Sequence, residues 1–295
     1  MGGLRPGEGS GPTPDPSVEA SAGAAAAPSR GARVVSLVPA ASSLLVAIGA
    51  GHQVVARATD DRTPELDDRP RVGYLLSPSL EAIRGAEPDV VVAWAGADLR
   101  ALRHAVGTSA VLLPLTLDRL RDVPHALRSL AAAVGRPDRG ERLADSLKSG
   151  LRAVEEHARG APVVRVLWVV SATPAVAAGP GTLPDDLMRV AGARNVLAGA
   201  AAPWPVPSME DLLRLDPDVI VWPVGQGLPA FDSLPDGALW RVLPAARKGR
   251  VIEVEADLVQ EAGPRVAEAA LHLWQRLLLH RPSTSHPSHD QGSSP

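Results

Sequence analysis

The chain contains no cysteine. That excludes disulfides, thiolate catalysis, cysteine metal sites and a lipid-bearing N-terminal cysteine in the sequence as given. Aromatic residues make up only 3% of the 295 residues, yet six of them are Trp, against one Tyr and one Phe. Where each Trp falls is therefore informative. No apolar run reaches about 18 residues, so no transmembrane helix is expected. Neither charge sign dominates: the net charge is −3 and the pI is near 6.2, which gives no basic field for nucleic acid. No Ser–His–Asp order, GxSxG, P-loop or HExxH motif occurs, and SATPAVAAGPG (171–181) lacks the glycine spacing of a phosphate cradle. The reading is of a protein that is not an enzyme, with no catalytic residue, no metal centre and no resident cofactor.

Residues 1–30 are rich in Gly, Pro, Ala and Ser and are expected to be disordered, as is the tail 282–295. AGAAAA (22–27) is shorter than the roughly 7–15-residue apolar core of a signal peptide, and no basic segment adjoins it. His280, His286, His289 and Asp290 gather near the C-terminus, and a solvated tail accounts for them better than a preorganised metal site.

What is present is a repeat. Residues 78–94, PSLEAIRGAEPDVVVAW, and 207–223, PSMEDLLRLDPDVIVWP, share Pro, Ser, Glu, Pro, Asp and two Val at matching places. Each copy reads as a short helix, a tight turn and a buried strand. The spacing is too wide for a solenoid, whose periods run about 20–50 residues. It points to two similar α/β lobes, with a cleft between them as the favoured ligand site.

The rest of the chain fits that scheme. RVVSLV (33–38), HQVVAR (52–57), DVVVAW (89–94) and AVLLPL (110–115) read as buried strands, separated by helices at 98–106 and 118–134 and by one capped at Ser42 or Ser43. A long polar loop is expected at 59–78. Pro137 opens a helix that Gly160 and Pro162 close, and Leu143, Leu147, Leu151 and Val154 form one apolar stripe along it. At about 22 residues it spans roughly 33 Å and acts as a strut rather than a flexible linker. VVRVLWVV (163–170), DVIVWP (218–223) and GRVIEVEA (249–256) supply strands of the second lobe. A helix over 263–280 ends it, with Trp274 on its apolar face. The expected fold is α/β: two similar parallel-sheet lobes, 31–136 and 161–281, joined by the helix 137–160.

RVVSLVPAASSLLVAIG, VGYLLSPSLEAIRGAEPDVVVAW, the central helix, APWPVPSMEDLLRLDPDVIV and GPRVAEAALHLWQRL occur in that order over residues 31–281. This ordered set resembles the substrate-binding proteins of ABC importers for cobalamin and ferric siderophores, and the cobalamin-binding branch most closely. The resemblance implies two lobes on one rigid helix, a ligand held between them, and limited closure. It implies a corrinoid ligand, an ABC permease with its ATPase as partners, a monomer, and an extracytoplasmic location. No signal peptide is visible, so a cytosolic corrinoid-binding or enzyme-associated module is kept as an alternative. A ferric-siderophore or haem receptor is the alternative within the class. Siderophore chelates are often anionic and want cations, for which Arg62 and Arg100 are the candidates; haem wants an axial Tyr or His, and Tyr74 is the sole Tyr.

Candidate ligand-binding residues follow. Trp94 ends a buried strand, and open α/β sheets bind ligands beyond the carboxyl ends of their strands. Trp204, braced between two prolines, suits an exposed contact. The resemblance implies that both line the corrin site, that Tyr74 falls near another aromatic used there, that Arg62 stands near a relative's Tyr, and that Asp257, in the loop after the last strand, meets ligand amides. Glu261 occupies a place where several relatives carry Arg. Phe231 and Trp240 read as packing or lid residues. Glu81 and Glu210 share a first-turn position after Ser79 and Ser208, where the helix dipole alone favours an acid. The resemblance implies instead that the pair docks on permease arginines.

Overall fold

The computed structural model describes residues 31–225, 228–234, 238–259 and 262–281. Both segments expected to be disordered, and Glu261, lie outside that range.

The first lobe holds β1 (Val34–Ser36), α1 (Pro39–Ala47), β2 (Val54–Arg57), β3 (Gly73–Tyr74), β4 (Ser77–Pro78), α2 (Leu80–Gly85), β5 (Val90–Trp94), α3 (Leu99–Val106), β6 (Val111–Leu115) and α4 (Val123–Ala133). β2-β1-β5-β6 form one parallel sheet, with β3 and β4 a small antiparallel pair at its rim. The strut, α5 (Pro137–Ala158), is 22 residues long. Beyond it come β7 (Val164–Ser171), β8 (Val176–Ala177), α6 (Leu183–Val190), β9 (Ala193–Asn195), α7 (Met209–Leu215), β10 (Val219–Val224), α8 (Pro244–Arg247), β11 (Val251–Glu255), α9 (Ala256–Val259) and α10 (Val266–Leu278). β11-β10-β7-β9 are parallel neighbours, and β8 pairs antiparallel with the second half of β7. β9-β7-β10-β11 thus repeats the strand order of the first lobe. The α/β class and the two-lobe architecture are as expected.

The repeat extends into backbone geometry. Glu87 and Asp216, each just before a proline at matching places, take left-handed φ values of 45° and 40°. Such a conformation is strained for a residue with a Cβ and persists only where surrounding contacts over-determine it. One arginine per lobe supplies those contacts. Arg33 donates to the carbonyls of Ala86 and Glu87 at 2.7 and 3.0 Å, and its backbone N–H bonds Asp89 Oδ2 at 2.8 Å. Arg165 does the same in the second lobe, reaching Leu215 O at 2.6 Å and Asp218 Oδ2 at 2.9 Å. Each clamp ties the turn after α2 or α7 to the start of the lobe's central strand.

One apolar core runs through both lobes and across the strut, taking in Leu44, Leu127, Leu147, Leu187 and Leu273. α5 lies close to its neighbours because glycines face them. A Cβ on Gly140 would strike Ala131 of α4, and one on Gly150 would strike Ala267 of α10. Trp274 is half-buried rather than fully core, with its ring 5.3 Å from that of His157 on the strut. Phe231 and Trp240 are packing residues, each edge-on to Trp222 at 5.2 and 5.7 Å.

Three local expectations are corrected. Neither Ser42 nor Ser43 caps α1; the helix begins at Pro39, whose fixed φ suits a first helical position. Ser42 is buried and its hydroxyl donates to Ser36 Oγ at 2.8 Å. The loop 59–78 is not structureless. It carries a turn of 3-10 helix at Pro64–Leu66 and the β3–β4 pair. It is anchored by fully buried Arg57, which donates to Asp67 Oδ1 at 2.8 Å and to the Asp61 carbonyl. Asp257 lies on the short helix α9 rather than in a loop, because that helix starts directly at the end of β11.

Candidate functional site

In both lobes the strands are parallel, so the segments leaving their carboxyl ends gather at one rim. The two rims meet around a cavity of about 550 Å³. The first lobe supplies Trp94, Leu117 and Asp118; the second supplies Trp168, Val170, Gly181, Thr182, Leu183, Pro184, Pro203, Trp204 and Leu228. Such a volume falls within the roughly 300–1,000 Å³ of small-molecule sites, which are mostly apolar with a few polar groups.

Each wall is positioned by its local chemistry. Trp94 ends β5, and the tight turn after it places Gly96 directly under its indole, where any side chain would collide with the ring. The Pro-Trp-Pro loop is held by two backbone bonds, Gly179 N–H to Pro203 O at 2.8 Å and Ala177 N–H to Pro205 O at 3.1 Å. Trp204, between those two anchors, is left 50% exposed. Trp168, nearly fully buried in β7, backs the cavity. Thr182 caps α6, accepting from Asp185 N–H at 3.3 Å and donating to Gly179 O at 3.0 Å. The segment 171–181 is therefore a structural wall of the cleft, contributing Gly181.

Beneath the cavity the lobes are joined by an ion pair. Arg119, just before α4, donates through Nε and Nη2 to Asp186 of α6 at 2.9 and 2.6 Å. Asp186 also accepts Leu120 N–H at 3.1 Å and is almost wholly buried. Burial pushes its carboxyl up, but the hydrogen bonds and charge of Arg119 and the Leu120 N–H outweigh that and hold it below the usual carboxylate range. Arg189 ties the same place to the strut through Glu155 at 3.0 Å.

The remaining candidates do not line this cavity. Arg62 lines a second hollow of about 490 Å³, also between the lobes, with Ser43, Thr63, Pro64 and the acid Glu65 of the first lobe and Leu258, Gly263 and Arg265 of the second. Arg265 is already paired there with Glu268 at 2.7 Å. Tyr74 is 55% exposed on the β3–β4 pair and lines neither cavity. Arg100 is exposed on α3 and lines neither as well. Asp118, Trp168, Thr182 and the Arg119–Asp186 pair went unseen in the sequence. The signal for Asp118 was its place just after a strand's carboxyl end.

Glu81 and Glu210 are both exposed, each the second residue of a helix capped by its serine, Ser79 to Ala82 N–H at 3.3 Å and Ser208 to Asp211 N–H at 3.2 Å. Glu210 accepts from Arg214 at 2.6 Å on its own helix, whereas Glu81 has no ion pair among the described residues. Both helices start at the carboxyl rim of their sheet, one on each side of the cleft. His280 is described at the end of the last helix; the other tail residues of its cluster lie outside the described range, and no group of three metal-ligating side chains occurs among the described residues.

The model of the family described as "Periplasmic binding protein" matches residues 34–258. The chain belongs to that family. The periplasmic binding protein resemblance extends to curated relatives. The vitamin B12-binding protein of Pectobacterium carotovorum is 29% identical over 257 residues, covering 86% of this chain and 91% of the relative. That of Pectobacterium atrosepticum is 30% identical over 254 residues, covering 83% and 88%. Among solved structures, the periplasmic vitamin B12 binding protein BtuF of Vibrio cholerae superposes with a TM-score of 0.72 at 23% identity, covering 85% of this chain and 98% of that one. The periplasmic heme-binding protein RhuT from Roseiflexus gives 0.72 at 25% identity, covering 83% and 97%. The chain is thus a substrate-binding protein of the ABC-importer type and not an enzyme; the relatives named above bind vitamin B12 or haem. Family membership implies an extracytoplasmic place of work and a permease partner. No described helix is long and apolar enough to cross a membrane.

Proposed function

We propose that this protein captures a corrinoid such as cobalamin, as a monomer, and delivers it to an ABC permease energised by its ATPase. One observation carries the choice of ligand within the class. The described lining of the 550 Å³ cavity is three Trp, aliphatic and Pro side chains, Thr182 and one acid, with no His, Tyr, Lys or Arg. Haem needs an axial ligand from the protein and cations for its propionates. A corrinoid brings its own axial chemistry, and its ring edge carries neutral amides, so it asks for apolar surface and a few hydrogen-bonding groups. The names of the curated relatives support the same choice, although haem-binding structures superpose equally well.

Glu81 and Glu210, at matching places on the two rims, serve as the docking pair for the permease. Surface charges of this kind set register and steer encounter more than they add affinity.

A second reading is favoured by the hollow beside Arg62. That exposed guanidinium has no ion-pair partner among the described residues and suits an anionic chelate. Mixing the purified protein with cyanocobalamin, haemin and a ferric siderophore, desalting, and recording which chromophore co-elutes tests the two readings together. Retention of cyanocobalamin supports the first; retention of haemin or siderophore alone replaces it with the second.

A further inference from the structure

Asp118 is the single ionisable side chain among the described residues that line the 550 Å³ cavity. It is exposed and makes no hydrogen bond or ion pair among the described residues, so all its lone pairs are open to a ligand. Its neighbour Arg119 ought to cancel that charge. It does not, because the Arg119 guanidinium is turned across the lobe junction and held by Asp186 at 2.6 and 2.9 Å. The backbone around this point is fixed as well. Arg119 N–H donates to Asp122 Oδ2 at 2.9 Å and Leu120 N–H to Asp186 Oδ2 at 3.1 Å. The carboxylate therefore stands on a rigid turn. Around it are Trp94, Leu117, Trp168 and Trp204, whose apolar surfaces focus the field of a lone charge.

We infer that Asp118 determines the specificity of the cleft, accepting hydrogen bonds from the neutral amide edge of a ligand and repelling chelates that bear carboxylates. The amide half rests on the corrinoid reading above; the repulsion half does not. A ligand carboxylate brought within ~6 Å of Asp118 at a partly solvated site should lose about tenfold in affinity relative to its neutral counterpart.

Two probe pairs each set a ligand carboxylate against a neutral group at the same place: cyanocobalamin (amide) with its monocarboxylic acid, and haemin with its dimethyl ester. Each is titrated by Trp fluorescence into wild type, Asp118→Asn and Asp118→Lys, with circular dichroism confirming that the variants fold. In wild type the neutral member of a pair should bind about tenfold more tightly. Asp118→Asn should bring the two members level, and Asp118→Lys should reverse their order. Cyanocobalamin itself should weaken severalfold in the Lys variant. A neutral-to-acid ratio that stays the same in all three proteins overturns the assignment, even where the corrinoid binds well. A wild type that ignores both corrinoids but binds the haemin pair sinks the corrinoid reading, and the haemin ratio still decides the role of Asp118. Binding of none of the four overturns both.

Discussion

Replacing Asp186 by alanine should loosen the junction beneath the cleft. The carboxylate is 5% exposed and accepts three hydrogen bonds, two from Arg119 and one from Leu120 N–H. Removing one partner of a fully buried pair costs about 3–5 kcal/mol, since the other charge is stranded. Arg119 is 25% exposed and recovers part of that loss in water, which lowers the expectation to about 2–3 kcal/mol. For a chain of this size each kcal/mol moves the midpoint by about 2–4 °C, so Tm should fall by about 4–12 °C at pH 7. Arg119→Ala and the double variant complete a cycle, in which the two single losses should fail to add by more than about 1 kcal/mol. The pH dependence has a definite sign. The folded Asp186 carboxyl is held below its ordinary value near about 3.9. Its contribution is therefore complete above that value and disappears as the pH falls through the folded one. The Tm gap between wild type and Asp186→Ala should narrow on acidification below about pH 4 and stay constant from pH 5 to 8. A gap under about 2 °C at pH 7, or strict additivity with Arg119→Ala, would show that the pair does not hold the lobes.

Trp94→Ala and Trp204→Ala should each weaken cyanocobalamin binding by roughly tenfold to a hundredfold, as expected for aromatic anchors, while Trp204→Ala, at a half-exposed site, should leave Tm nearly unchanged; unaltered titrations of both variants would move the ligand out of this cavity. The double change Glu81→Arg with Glu210→Arg should spare ligand binding and stop uptake reconstituted with the cognate permease. Normal uptake would mean that the repeated Glu reflects shared helix-start chemistry, and lost ligand binding would mean that these side chains face the cleft.

Much of the scaffold was readable because it is written in local patterns. Two copies of one helix–turn–strand motif, apolar runs bounded by turn residues, and a Pro-opened helix with a single stripe were enough to indicate two lobes on a strut. Trp94 and Trp204 were readable as cleft residues because one ends a strand and the other is trapped between prolines. What escaped depends on which side chains meet in space. Arg33 and Arg165 look like ordinary surface residues until the chain returns to set α2 and α7 beside them. Arg119 and Asp186 belong to different lobes, and nothing near either names the other. Ser42 looked like a cap because its hydroxyl type fits one, but Pro39 had already started the helix and burial directed Ser42 to Ser36. Asp118 was hidden by an adjacent arginine of opposite charge, whose true partner is Asp186 of the other lobe.

Titration of the purified protein with cyanocobalamin, followed by Trp fluorescence and by co-elution of the red chromophore, tests the central claim most directly. A saturating one-to-one complex with quenched Trp emission is the expected result, with cyanocobalamin bound more tightly than haemin. A flat titration up to about 100 μM, which is weaker than about −5.5 kcal/mol, or retention of haemin with no corrinoid bound, would contradict it.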